Sequence, residues 1–136
     1  MTHAPSTLPR HEAPPRVVLV GNPNVGKSVL FKNLTNHYVT VSNFPGTTVE
    51  IVRARGNFNG RAAEVVDTPG INDLSPRSDD ARVTRDLLAH AEGATIVQVA
   101  DAKNLRRALL LTLQLTDRKS TRLNSSHSSV SRMPSS

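Results

Sequence analysis

The sequence contains no cysteine and no tryptophan, and it has only one tyrosine and three phenylalanines among 136 residues. Without cysteine there is no disulfide framework and no thiolate metal site. The five histidines are scattered and do not have the spacing of metal ligands. The scarcity of aromatic residues leaves no platform on which nucleic acid bases could stack. Half of the net charge of +6 comes from the residues after 116, so we expect no nucleic acid partner despite the basic balance.

Long apolar runs are also missing, since no stretch approaches the roughly 20 residues that a membrane span requires. The first 15 residues contain four prolines and lack the apolar core of a secretory signal. We therefore predict a disordered lead over residues 1–15. The length of the remaining chain suits one domain at most.

The most specific pattern has the form G-x-x-x-x-G-K-S, and it consists of Gly21-Asn22-Pro23-Asn24-Val25-Gly26-Lys27-Ser28. An apolar run at 16–20 predicts a buried strand before it, and residues 26–35 have the pattern of a helix. In a loop of this kind, backbone N–H groups enclose a phosphate chain. Lys27 would then contact the β- and γ-phosphates, and the hydroxyl of Ser28 would bind Mg²⁺. The sequence therefore predicts a nucleotide-binding loop.

A second motif, Asp67-Thr68-Pro69-Gly70, follows an apolar strand predicted at 62–66. A carboxylate at this strand end could hold the Mg²⁺ shell through water, and the N–H of Gly70 could reach the γ-phosphate. A loop predicted at 39–48 contains Gly46, Thr47 and Thr48. Either threonine could complete the metal shell, and the loop would order with a triphosphate and loosen after hydrolysis.

The rest of the chain alternates helices and strands. Two further strands are predicted, at 49–54 and at 94–100, and a hairpin turn is predicted at 57–60. The helix predicted at 79–90 directs Val83, Leu87 and Leu88 inward. Asp101 is expected to cap the next helix, which is predicted at 104–115. In that helix the leucines recur at i, i+4 and i+8, as Leu105, Leu109 and Leu113. These elements predict an α/β fold with a mostly parallel sheet, helices on both faces and a ligand at the carboxyl ends of the strands.

Together these motifs resemble the G domain of the ferrous iron transport protein B family. The resemblance covers residues 16–115, and it is strengthened by the Gly-x-Thr-Val-Glu element at 46–50, by Leu74-Ser75-Pro76 and by Asp101-Ala102-Lys103-Asn104-Leu105. It implies a P-loop NTPase fold, GTP and GDP as ligands with Mg²⁺, and GTP hydrolysis. It also implies a membrane domain in the same full-length chain that carries Fe²⁺, with this domain at the cytoplasmic face of the inner membrane.

The resemblance also implies roles for individual residues. Lys27, Thr48 and Asn24 would be catalytic, and Ser28, Thr48 and Asp67 would hold Mg²⁺. Asn24 matches a position that helps hold K⁺ near the phosphates in potassium-stimulated members. Ile71 stands where a Ras-like enzyme has its water-orienting glutamine, which implies another way of placing the water. The predicted nucleotide-binding set comprises Gly21, Asn22, Pro23, Asn24, Val25, Gly26, Lys27, Ser28, Gly46, Thr47, Thr48, Val49, Glu50, Asp67, Thr68, Pro69 and Gly70.

The resemblance stops after Leu115, and the Asn-Lys-x-Asp element that reads guanine in this family is not present. The peptide at 117–127 resembles the conceptual translation of a common sequencing adapter. We therefore expect residues 116–136 to be a non-native or disordered serine-rich tail, so that 16–115 is a partial G domain. Base specificity stays open, and two alternatives remain. One is a soluble ribosome-assembly GTPase, and the other is a non-catalytic nucleotide-sensing module.

Overall fold

The computed structural model describes residues 15–75 and 77–121. Most of the predicted lead, Pro76 and the tail after residue 121 lie outside the described residues. The strands are β1 (Arg16–Gly21), β2 (Thr35–Asn43), β3 (Glu50–Phe58), β4 (Arg61–Asp67) and β5 (Thr95–Val99). The helices are α1 (Lys27–Leu34), α2 (Asp79–Ala89) and α3 (Leu105–Thr121), with a 3₁₀ turn at Ala102–Asn104 before α3.

The strands form one sheet in the order β2-β3-β4-β1-β5. The strand β1 pairs in parallel with both β4 and β5, so that Val17 lies beside Val65 on one side and Thr95 on the other. The edge strand β2 is antiparallel to β3, and β3 is antiparallel to β4. Because β1, β4 and β5 run in the same direction, their carboxyl ends meet at one edge of the sheet.

The antiparallel edge strand β2 differs from the loop predicted at 39–48, since residues 39–43 pair with β3. Val39 and Val41 alternate with polar residues, as in a strand, but both are exposed. The contrast between a buried and an exposed face, which identifies a strand in sequence, is therefore missing here. The pairing of β2 adds a second antiparallel pair to the predicted hairpin of β3 and β4, so the described sheet has two antiparallel and two parallel pairings.

Two apolar layers cover the sheet, one on each face. Val17 and Leu19 of β1 pack with Phe31 of α1. Val18 and Val20 point to the opposite face and belong to the cluster that α2 and α3 complete. A strand buried on both faces is a continuous apolar run rather than an alternating one. The predicted α/β class, with helices on both faces, is confirmed.

Local signals at three turns agree with the prediction. Asn59 and Gly60 both have positive φ, at 55° and 77°, as a two-residue type I′ hairpin requires. The hydroxyl of Ser78 accepts a hydrogen bond from the Ala81 N–H at 3.1 Å and caps α2. The carboxylate of Asp101 accepts from the Lys103 N–H at 2.9 Å, so it caps the 3₁₀ turn at Ala102–Asn104 that leads into α3 rather than α3 itself.

Helix α3 packs on the sheet with a different face from the one its leucine repeat suggests. Ala108 and Leu111 are buried, whereas Leu105, Leu109 and Leu113 are 54%, 53% and 65% exposed. Polar contacts with β5 fix this orientation, because the Gln98 side chain donates to the Ala108 carbonyl at 3.0 Å and accepts from the Thr112 hydroxyl at 2.6 Å. The helix continues six residues past the predicted end at 115.

No helix within the described residues combines the length and apolar character needed to cross a bilayer.

The exposed leucines of α3 predict self-association of the 136-residue polypeptide, because contiguous apolar surface promotes association in water. We expect the double substitution Leu109→Gln and Leu113→Gln to increase the monomer fraction in size-exclusion chromatography with light scattering. The matched control changes the exposed polar residues Lys103 and Arg106 of the same region to Gln, and it should leave the association unchanged. A monodisperse wild-type monomer would contradict the prediction.

Candidate functional site

The loop between β1 and α1 lies at the carboxyl end of β1, the middle one of the three parallel strands. Two of its residues have left-handed backbone conformations, Asn24 with φ 63° and Gly26 with φ 95°. Such conformations turn successive N–H groups toward a common concavity that suits an anion. Gly21 allows the loop to approach β5, since a Cβ at this position would lie 2.6 Å from the carbonyl oxygen of Val99.

The loop leads directly into the amino end of α1. Gly26 is its N-cap, no side chain caps the helix, and its first turn contains no acidic residue. The first N–H groups of a helix lack intrahelical acceptors and carry a partial positive charge. Ser28 is exposed in this first turn. The loop and the helix therefore offer donors to a negatively charged group at one place.

Lys27 joins the loop to the end of β4. Its ammonium lies 2.6 Å from the carboxylate of Asp67 and 2.6 Å from the carbonyl oxygen of Thr68. The two charged side chains are only 10% and 15% exposed. Charges withdrawn from water to this extent need a partner of opposite sign, and here each supplies the other. The predicted pair of motifs thus meets in space.

The turn formed by residues 67–71 contacts both β1 and the loop through hydrogen bonds and close packing. The hydroxyl of Thr68 donates to the Leu19 carbonyl at 2.7 Å in a buried position. The N–H of Ile71 donates to the Gly21 carbonyl at 3.0 Å. Gly70 lies against Pro23, and a Cβ on Gly70 would be 2.8 Å from the Pro23 Cα. The close approach of these two segments therefore depends on a glycine.

The loop that contains the two threonines is closed on itself. The hydroxyl of Thr47 donates to the Phe44 carbonyl and accepts from the Val49 N–H, both at 3.0 Å. Thr48 is exposed, and Glu50 begins β3 opposite Asn43. Among the described residues, no hydrogen bond joins this loop to residues 21–28. The structure thus brings Lys27 and Asp67 together, but it does not bring Thr47, Thr48 or Glu50 to them.

The metal-binding potential of the site rests on few groups. Within the described part of the chain, no cluster of three or more His, Cys, Asp or Glu side chains could hold an ion by itself. Mg²⁺ in nucleotide enzymes needs no such cluster, because it takes one or two protein oxygens and fills its shell with water and phosphate oxygens. The hydroxyl of Ser28 and the carboxylate of Asp67 fit this donor set.

The sequence did not predict the buried side-chain hydrogen bonds that hold this turn. Thr68 and Asn22 are both buried, and both bond to backbone carbonyls far away in sequence. Neither side chain has a local signal that distinguishes it from an ordinary loop residue. The only available hint is its position directly after a buried strand, where polar side chains must find internal partners.

These features define a class of protein. A glycine-rich loop follows a central parallel strand and opens a helix, and an aspartate at the end of the neighbouring parallel strand contacts the loop lysine. This arrangement is that of a P-loop nucleotide-binding α/β domain of the G-domain type.

A family model described as "Ferrous iron transport protein B" matches residues 15–124. The chain is similar to the Fe(2+) transporter FeoB of Methanocaldococcus jannaschii, with 42% identity over 101 residues, 74% of this chain and 15% of that protein. It is 38% identical to the Fe(2+) transporter FeoB of Synechocystis, over 78% of this chain and 17% of that protein. The chain therefore belongs to the ferrous iron transport protein B family. It spans only about a sixth of the length of these relatives.

Solved structures agree with this membership. The G domain of the T. maritima FeoB iron transporter has a TM-score of 0.70 and 35% identity, over 76% of this chain and 65% of that chain. The GDP-bound A143S mutant of the S. thermophilus FeoB G domain has a TM-score of 0.66 and 43% identity, over 74% and 39%. The cytosolic domain of T. maritima FeoB in its GMPPNP form has a TM-score of 0.67 and 36% identity, over 73% and 39%. These matches favour the transporter family over the ribosome-assembly alternative.

The buried hydroxyl of Thr68 provides a stability test of this turn. Thr68→Val keeps the shape of the side chain but removes the donor to the Leu19 carbonyl, so we expect unfolding to become easier by about 1–2 kcal/mol in urea denaturation. Thr116→Val is the matched control, because that hydroxyl bonds to the carbonyls of its own helix at an exposed position and should contribute little. If both variants lose the same amount of stability, the buried hydrogen bond of Thr68 contributes no more than an exposed one, which would contradict the prediction.

Proposed function

We propose that this chain is the GTP-binding and GTP-hydrolysing part of an Fe²⁺ transporter. The observation that carries the proposal is the contact of Lys27 with Asp67 at 2.6 Å, which unites the two phosphate-site motifs at the edge of the parallel strands. The similarity to FeoB structures in GDP-bound and GMPPNP forms supports a guanine nucleotide as the ligand. The rest of the transporter, with its membrane domain, would lie in the same full-length protein, and this domain would be at the cytoplasmic face.

The loop residues 21–28 would hold the phosphates through their backbone N–H groups and the amino end of α1. Lys27 would leave Asp67 and Thr68 to contact the β- and γ-phosphates, so that its charge stays compensated. The N–H of Gly70 would face the γ-phosphate from the other side. Positioning and electrostatic stabilisation of this kind provide most of the catalysis in phosphoryl transfer.

Mg²⁺, when bound, would neutralise charge on the β- and γ-phosphate oxygens. Ser28 would hold it directly, Asp67 through its solvent shell, and Thr48 after rearrangement of its loop. Thr48 is exposed in a loop whose side-chain hydrogen bonds, within the described part of the chain, are internal. That loop can therefore move without breaking a contact to the phosphate loop, as a part that orders only with a triphosphate would need to do.

Asn24 would supply a carboxamide oxygen to a K⁺ near the phosphates. Its left-handed backbone and exposed side chain are compatible with this role. A monovalent cation at this place would do what an arginine finger does in other GTPases, and it would compensate the charge that develops in the transition state. The apolar Ile71, which is buried, cannot orient the attacking water, so the backbone of the threonine loop is our candidate for that task.

The main test replaces the loop lysine in the full-length protein. Lys27→Ala should weaken GTP binding by about 100-fold, because it removes a charge-assisted contact worth about 3 kcal/mol. Lys32→Ala is the matched control, since Lys32 is an exposed lysine in the last turn of the same helix. Fluorescent nucleotide titration measures both variants. Undiminished affinity in Lys27→Ala would refute the proposed phosphate site.

Cation dependence tests the role of Asn24 separately. We expect hydrolysis to be at least about tenfold faster in K⁺ than in Na⁺, and Asn24→Gly to abolish the difference. Glycine retains the left-handed backbone that the position requires, so the substitution removes the carboxamide without adding strain. Single-turnover phosphate release is the measurement. A K⁺ effect that persists in Asn24→Gly would remove Asn24 from the cation site, and absence of turnover in wild type would favour the nucleotide-sensing alternative.

A further inference from the structure

The carboxamide of Asn22 is a buried polar group inside the phosphate loop that the steps above do not use. The residue follows β1 directly and is only 3% exposed. Its Nδ2 donates to the carbonyl oxygen of Ile71 at 3.0 Å and more weakly to the Asn72 side-chain oxygen at 3.4 Å. Burying an amide is costly unless it is hydrogen-bonded. Here both bonds run to the segment that follows Gly70.

Ile71 is consequently held at both of its backbone polar groups. Its N–H donates to the carbonyl of Gly21 at 3.0 Å, and its carbonyl accepts from Asn22, the next residue of the loop. Its side chain is buried in the same apolar cluster as Val18 and Val20 of β1. Two consecutive loop residues thus fix one residue of the turn.

Gly70 immediately precedes this fixed residue and rests against Pro23. We propose that Asn22 is a positioning residue: its carboxamide holds Ile71 and thereby keeps the N–H of Gly70 directed at the γ-phosphate. The side chain of Asn22 does not itself contact the nucleotide. This inference rests on the proposed function, because it assigns Asn22 a part in recognising the third phosphate.

The far end of the segment has an independent attachment. The N–H of Leu74 donates to the side-chain oxygen of Gln114 on α3 at 2.6 Å, and Leu74 is buried. Loss of the Asn22 bond therefore frees the carbonyl of Ile71, while the Ile71 N–H stays bonded to Gly21 and Leu74 stays attached to α3. The effect should be local to the γ-phosphate side, because GDP has no group that reaches Gly70.

The decisive variant is Asn22→Leu in the full-length protein, since leucine has a similar shape but no hydrogen-bond donor or acceptor. We expect GDP affinity to stay within about twofold of wild type, whereas affinity for a non-hydrolysable GTP analogue and kcat both fall about tenfold, the loss expected for one hydrogen bond. Asn33→Leu is the matched control at an exposed position of α1. Asn72→Ala removes only the weaker contact and should resemble wild type.

The outcomes separate the inference from the function on which it depends. If Asn22→Leu loses affinity equally for GDP and for the GTP analogue, or loses affinity for neither, the positioning role is wrong. GTP hydrolysis by the wild type would still uphold the proposed function in that case. A wild type that binds neither nucleotide would overturn both. Thermal melting of the GDP-bound variant checks folding, and if Asn22→Leu does not fold, Asn22→Ala must show the same selective loss. A large effect of Asn72→Ala would overturn Ile71 as the important partner.

Discussion

The contact between Lys27 and Asp67 is the interaction on which the arrangement of the site depends. It joins a residue at the start of α1 to one at the end of β4, and these elements lie beside the same central strand. Two opposite charges that are each largely removed from water must stay together, because separating them leaves a buried charge without a partner. The parallel pairing of β1 and β4 ensures this, because it sets Leu19 beside Asp67 and brings both strand ends to the loop. The charge pair is thus a consequence of the register of the sheet.

The two segments that the sequence assigns to the nucleotide site together with residues 21–28 are attached to the fold in different ways. The turn after β4 is bonded to β1 through Thr68 and Ile71 and to α3 through Leu74. The loop between β2 and β3 has internal hydrogen bonds. Among the described residues, its other attachments are its own two strands and the packing of Phe44 and Val49 on the core. Few external contacts imply a low free energy of local opening. One segment is therefore suited to hold a fixed geometry, and the other to change it.

The sequence predicted the parts of the fold that depend on local signals. The run before the loop, the hairpin at Asn59-Gly60 and the capped helix α2 each have a short-range physical cause, and all three are present. The errors came from tertiary context. Strand β2 is an edge strand whose valines are exposed, so its sequence lacks the alternation of buried and exposed residues. The orientation of α3 is set by Gln98, a polar residue of β5. The same holds for the site. The contact of Lys27 with Asp67 could be predicted because the register of the parallel strands brings them together. The position of Thr48 could not, because the hydrophobic pattern of the sequence does not specify where its loop lies.

The lysine contacts also bear on how a polyphosphate could enter. Lys27 is bound to Asp67 and to the Thr68 carbonyl, so an incoming phosphate would replace one set of oxygens around the ammonium with another. The charge of Lys27 would then remain compensated throughout, and the cost of a buried unpaired cation would be avoided. The same exchange would free the carboxylate of Asp67, which is then available to the shell of a divalent ion that arrives with the nucleotide. Before such an exchange the ion pair compensates both charges, and the hydrogen bonds of Asn22 and Thr68 hold the turn after Asp67 against the loop and β1.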